Sequence, residues 1–140
     1  MGAIDENGWS HSTYSISNED IDTYAKMSGD RNSIHFGPDR IAHGALIFGK
    51  VSACVWSRFG HGTMVLAFHG EITRPIKPDE SFNVSLSPAQ PLEESNRGEH
   101  NVEFRLYKWF KGRQKEIMTG VVTIIPKEDQ YLKGADRAVA

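Results

Sequence analysis

Between Ser28 and His35 the chain reads Ser-Gly-Asp-Arg-Asn-Ser-Ile-His, and Gly44 follows a short way on, after Ile41-Ala42-His43. A carboxylate at Asp30 and an imidazole at His35, with Asn32 between them, can take a proton from one atom and return it to another. Ile41-Ala42-His43-Gly44 opens an apolar stretch of helical length. The N–H groups at a helix start have no intrahelical partner, and they favour an oxygen that is gaining negative charge. Base, acid and oxyanion donor therefore lie close together in the chain. Alone, Asp30 could cap a turn after Gly29 and His35 could be a satisfied loop histidine. Together with Asn32 and the Ile41-Ala42-His43-Gly44 helix start, the catalytic reading is favoured.

Several elements must hold these groups. The first ten residues are polar and contain glycine, and are expected to form a loose leader. Thr13 to Ile16 suits a short strand. Ser17-Asn18-Glu19-Asp20 offers an N-cap and acidic first-turn residues, so a short amphipathic helix is expected to end near Ser28-Gly29, with Ile21, Tyr24, Ala25 and Met27 on its apolar face. Asp30 to Arg40, with Gly37-Pro38, reads as a loop. Ile41 to Phe59 is apolar on nearly every side and reads as a long buried helix.

Strand patterns follow: Thr63 to Ile76, Ser81 to Leu86, His100 to Phe110 and Glu116 to Ile125, with Lys111-Gly112-Arg113 as a tight turn. Helices segregated from consecutive hairpin-linked strands predict an α+β domain. A curled antiparallel sheet wrapped around one long central helix is the hot-dog architecture. Its exposed edge strand would be covered by pairing with a second copy, so a homodimer is expected.

The bulk composition agrees. The chain has 140 residues, 39% hydrophobic and 24% charged, with formal net charge −2. One globular domain over 11–126 is expected, between a flexible leader at 1–10 and a polar tail at 127–140 anchored only by Tyr131 and Leu132. Nothing in the charge suggests nucleic acid or an anionic membrane as a partner. No basic, apolar leader begins the chain and no apolar run reaches the ~20 residues of a membrane span, so a cytoplasmic protein is expected. The single cysteine, Cys54, lies among apolar neighbours and reads as a buried thiol. His61, His69 and His100 have no ligand spacing, and no metal is expected. Lys50, Arg58, Arg74 and Lys77 could meet a carrier phosphate, though such residues are more often surface charges.

The run SGDRNSIH followed by IAHG resembles the signature of the MaoC-like family, the (R)-specific enoyl-CoA hydratases and related dehydratases. Glu71 to Glu80 is similar to that family's strand, proline and acidic turn, and the resemblance covers about Glu19 to Ile125. It implies a hot-dog dimer without cofactor, acting on an enoyl thioester of coenzyme A or of a carrier protein. Asp30 and His35 match the family's catalytic pair, Asp30 as base and His35 holding the water and helping to deliver a proton to the α-carbon. Gly44 matches the glycine whose N–H binds the thioester carbonyl. Asn32 matches the motif's orienting residue, and Asn32, His43 and Ala45 are the expected substrate contacts.

Three departures stand out. Ser33 replaces the usual proline, Gly49 sits where some members have serine, and the spacing from His35 to Gly44 is about half that of many members. The shorter spacing implies a site open to bulkier or polyketide-like acyl chains. Two other functions fit the same cavity: a hot-dog acyl thioesterase, and a non-catalytic acyl-binding subunit of a heteromeric dehydratase.

Overall fold

A computed structural model describes residues 3–126; the tail expected at 127–140 lies outside them. The chain forms β1 (Ser10–Tyr14), α1 (Asn18–Ser28), a 3₁₀ turn (Ser33–His35), α2 (Gly44–Phe59), β2 (Met64–Ile72), β3 (Phe82–Leu86), β4 (Gln90–Pro91), β5 (His100–Phe110) and β6 (Arg113–Ile125). All the strands pair antiparallel in one sheet of order β1-β3-β5-β6-β2, with the short β4 beside β5. This is the hot-dog fold.

The alternating residues of β3 and β5 make the inner face. Phe82, Val84 and Leu86, with Val102, Phe104 and Leu106, are buried against Ile47, Val51 and Val55 of α2. β6 adds Met118, Val122 and Ile124 from its paired register. Gly70 and Gly120 face each other across β2 and β6, where a Cβ on either would strike the Phe104 ring. The sheet can therefore close over that ring only because both positions lack a side chain.

α1 begins as its sequence requires. Ser17 accepts from the Asp20 N–H while the Asp20 carboxylate accepts from the Ser17 N–H, a complete capping box. Gly29 ends the helix in the left-handed region at φ 79°, which costs a glycine little. The β5–β6 turn likewise uses Lys111 (φ 51°) and Gly112 (φ 74°), both positive as a type I′ turn demands.

Several expectations need adjustment. The first strand starts earlier, at Ser10, because Ser10–Tyr14 pairs with Leu86–Phe82 of β3, and before it Ile4 bridges Ser10 and Asp5 accepts from the N–H groups of Asn7 and Trp9. Residues 3–9, read from sequence as loose, therefore form a hydrogen-bonded turn. Met27 does not join the buried face of α1; Ile21 and Ala25 alone do. α2 is shorter than the apolar run, since Ala42 is tied as extended chain to the Ile76 carbonyl. Nor is α2 buried all round: Ala45, Gly49, Ala53 and Trp56 form an exposed stripe. Among the described residues no helix is long and apolar enough to cross a membrane.

Candidate active site

The loop from Ser28 to His43 is built by short-range polar contacts. Ser28 Oγ accepts from the Asp30 N–H, Asp30 Oδ1 from the Asn32 N–H, and Asn32 Oδ1 from the Ile34 N–H. These successive side-chain caps fold the segment into the 3₁₀ turn that carries His35. Arg40 clamps the far side: its Nε donates to the His35 carbonyl and its Nη2 pairs with Asp22 at 2.6 Å. The turn is thereby anchored to α1.

His35 is buried, and its Nδ1 lies 2.8 Å from the Ile41 carbonyl. A carbonyl can only accept, so Nδ1 carries the proton. Nε2 then faces Asp30, whose Oδ2 is 4.0 Å away. Asp30 is about half exposed (49%) while His35 is 7% exposed. A gap of 4.0 Å is too long for a direct hydrogen bond, but it leaves both atoms within reach of one water between them.

His43 lies beneath this pair. Its ring stacks on that of His35 with centroids 3.7 Å apart and meets Tyr24 at 4.7 Å on another side. Its Nε2 is 3.2 Å from the Asp30 carbonyl and so donates to it. The buried Nδ1 has no partner among the described residues. His43 thus braces the backbone of one proposed catalytic residue and the ring of the other. Asp30, His35 and His43 bring their potential ligand atoms within 4.8 Å of one another. Stacked imidazoles, however, hold their in-plane lone pairs side by side, whereas a tetrahedral ion needs them to converge. The donor set does not fit a metal.

His43 is also the N-cap of α2 and makes no side-chain cap bond. The first carbonyl of the helix accepts from Leu46 and Ile47. Among the described residues the Gly44 and Ala45 N–H groups have no acceptor. A pocket of about 460 Å³ opens here, lined by His35 and Gly44, by Ile34, Ile41 and Ile47, and by Ile72–Pro75 from the end of β2. Its wall is mostly apolar, with proton-transfer and amide groups on one side. A larger cavity of about 500 Å³ at Pro91–Ser95 and Glu99 offers only carboxylates and one hydroxyl as polar side chains.

The residues singled out in the sequence fall into two groups. His35 and Gly44 line the pocket, with Asp30 beside His35 but outside the lining. Asn32 spends its side-chain oxygen on the 3₁₀ turn, His43 is buried behind His35, and Ala45 is exposed next to Gly44. None of these three lines the pocket. Of the opposite wall, Ile72 to Pro75, sequence reasoning had singled out Arg74 alone, as a possible phosphate contact, and missed the rest. The one available signal was that the β pattern stops at Pro75, since a strand end is where side chains can turn toward a cavity.

No protein-family model matches the sequence, and no curated protein matches it. Solved structures do. The unliganded R-hydratase PhaJ1 from Pseudomonas aeruginosa superposes with TM-score 0.70 at 27% identity, over 87% of this chain and 81% of that one. An (R)-hydratase from A. caviae involved in PHA biosynthesis gives TM-score 0.70 at 17% identity, over 87% and 96%. An acyl-CoA hydrolase from Staphylococcus aureus gives 0.56 at 9%, over 86% and 67%. The chain is therefore a hot-dog protein whose structural neighbours include R-hydratases as well as acyl-CoA hydrolases.

Proposed function

We propose that the protein adds water to, or removes it from, the α,β-bond of an acyl thioester. The observation that carries this reading is the 4.0 Å gap between Asp30 Oδ2 and His35 Nε2, beside a pocket lined by His35 and the free Gly44 amide. With Nδ1–H committed to Ile41, Nε2 is the nitrogen open to exchange. A water between two acceptors donates one hydrogen to each, and its lone pairs are left to attack. The thioester oxygen sits on the Gly44 N–H, which draws charge from the β-carbon; one such donor contributes roughly 3–4 kcal/mol to the transition state. As the water oxygen bonds to the β-carbon, its proton passes to the Asp30–His35 pair. A proton returns from Nε2 to the α-carbon, and the pair ends as it began. Dehydration runs the same path backwards.

The likeness to one R-hydratase at 27% identity supports the reading, and the apolar pocket wall suits an acyl chain. β2, an edge strand with Met64 and Ile72 exposed, is the proposed contact to a second copy. The test is a paired assay of purified protein: hydration of crotonyl-CoA, and release of free thiol from saturated acyl-CoA. Hydration lost in Asp30→Asn supports the proposal. Thiol release without hydration would make the protein a thioesterase.

A further inference from the structure

The far end of the β5–β6 hairpin leaves the sheet. β3 pairs with β5 no further than Asn83–Tyr107, and β2 pairs with β6 no further than Ile72–Met118. Lys108 to Lys115 is thus paired only with itself and stands beyond its neighbours. This overhang carries the two large aromatics Trp109 and Phe110, 63% and 55% exposed.

Its charges are unbalanced. Lys108 and Lys115 are direct cross-strand partners, an arrangement that costs stability unless a counter-charge intervenes. Glu80 answers Lys108 at 2.9 Å. Among the described residues Lys111, Arg113 and Lys115 meet no carboxylate, and Lys111 rests over the Phe110 ring. Phe110 and Arg113 are ladder partners one pair beyond Trp109 and Gln114. A chain of net charge −2 therefore concentrates cations around the exposed Phe110 at one tip.

The tip is joined to the pocket wall. The Thr73 and Arg74 N–H groups both donate to the Ile117 carbonyl, and Arg74 Nη1 donates to the Glu116 carbonyl at 2.8 Å. Lys115 follows directly, on the order of 10 Å along the strand from the Met118 level where Ile72 pairs.

We infer that this hairpin tip docks an acidic carrier protein, which delivers the acyl group on its phosphopantetheine arm to the pocket. The inference rests on the thioester reading above. A protruding hairpin gives a small molecule such as the nucleotide of coenzyme A few convergent contacts, because small ligands need a concave site. Protein docking instead uses an aromatic anchor within a charged rim, and Phe110 shares its face of the hairpin with Arg113 and Lys115, while Trp109 with Gln114 lies on the other face. Opposite charge on the partner would meet Lys111, Arg113 and Lys115 and steer the encounter.

The experiment compares wild type with the triple variant Lys111→Glu, Arg113→Glu, Lys115→Glu and its milder all-Gln counterpart. Hydration is measured with crotonyl-CoA and with crotonyl loaded on an acidic bacterial acyl-carrier protein, and binding of the holo-carrier by calorimetry. The expected result is a KM for the carrier substrate raised by roughly tenfold or more, with kcat and all crotonyl-CoA parameters within about twofold. Carrier binding should weaken with salt in wild type and be lost in the Glu variant.

An unchanged carrier KM, or no carrier binding to wild type at low salt, overturns the inference. So does a loss on crotonyl-CoA alone in the Gln variant, which would mean that the tip reads the nucleotide, or an equal loss on both substrates, which would mean that it acts on the pocket itself. Tip-dependent sedimentation with phosphatidylglycerol vesicles, without carrier binding, would make it a membrane contact. A change of oligomeric state in the Gln variant would make it a contact between copies. Tip-dependent carrier binding with no hydration of either substrate would sink the thioester hydration reading and leave the docking standing.

Discussion

Among the described residues two Asp–His pairs stand out, and they differ in the one dimension that matters for chemistry. Asp5 and His11 touch at 2.7 Å, and the other ring nitrogen of His11 lies 2.8 Å from Ser85 Oγ. By composition this is a Ser-His-Asp set. Yet Ser85 is only 3% exposed, and each ring nitrogen of His11 already has its partner. The pair pins the first residues to β3. Asp30 and His35 stand 4.0 Å apart, with only one ring nitrogen bonded and the other facing a carboxylate across a gap. A closed pair ties segments together; an open pair leaves room for a reactant. Residue types alone do not separate the two.

The comparison can be broken most decisively at the open pair. Asp30→Asn and His35→Ala should each lower the hydration rate by ~10²–10⁴, with circular dichroism unchanged. Full activity in either variant would make the two pairs equivalent and end the catalytic assignment.

Gly44→Pro gives the next largest effect. Gly44 is the first residue of α2, where proline is well tolerated, and His43 already has the extended ψ of 139° that a residue before proline prefers. The substitution deletes one unpartnered N–H and leaves the helix. A new Cβ would lie 3.1 Å from Ile72 Cδ1, the free end of a side chain, and Ile72→Val in the same protein relieves that contact. The double variant should fold normally and lose about 10²–10³ in kcat if the amide holds the oxyanion. Wild-type kcat in a folded double variant would remove Gly44 from the mechanism.

Asp5→Asn or His11→Phe should leave the rate within about twofold of wild type and lower the thermal midpoint slightly. The hydrogen bond from His11 holds the Asp5 carboxyl below the usual aspartate range. A depressed folded-state value means the stabilising contribution is present above the ordinary aspartate value and fades as pH falls through the lower, folded one. Acid titration of the folding midpoint should therefore lose that increment in wild type and show none in Asp5→Asn. A fall in catalysis with His11→Phe would show that the closed pair also serves the reaction.

The smallest effect concerns the frame that both pairs share. Ser17→Ala removes half of the capping box before α1 and should cost about 1 kcal/mol in urea unfolding, with kcat unchanged. A change in kcat would mean that the anchoring of the site loop to α1 depends on this cap.

Local rules made much of this readable in the sequence. Ser17 and Gly29 mark the ends of α1 because each satisfies backbone groups by itself. The alternation of Val102, Phe104 and Leu106 fixes which face of β5 meets the core. Asp30, Asn32 and His35 lie on one loop, so their closeness follows from chain connectivity. The stacking of His43 on His35, the wall from Ile72 to Pro75 and the partner of His11 at Ser85 all join residues far apart in the chain or depend on ring orientation.

The amino-acid order alone determined the helix caps, the hairpin turn, the buried faces of the strands and the cluster of groups able to move a proton, since each depends on near neighbours. Packing decided that one Asp–His pair would close and the other stay open, and that α2 would leave a stripe uncovered. Those outcomes turn on ångström-scale distances between distant segments, and no residue encodes them by itself.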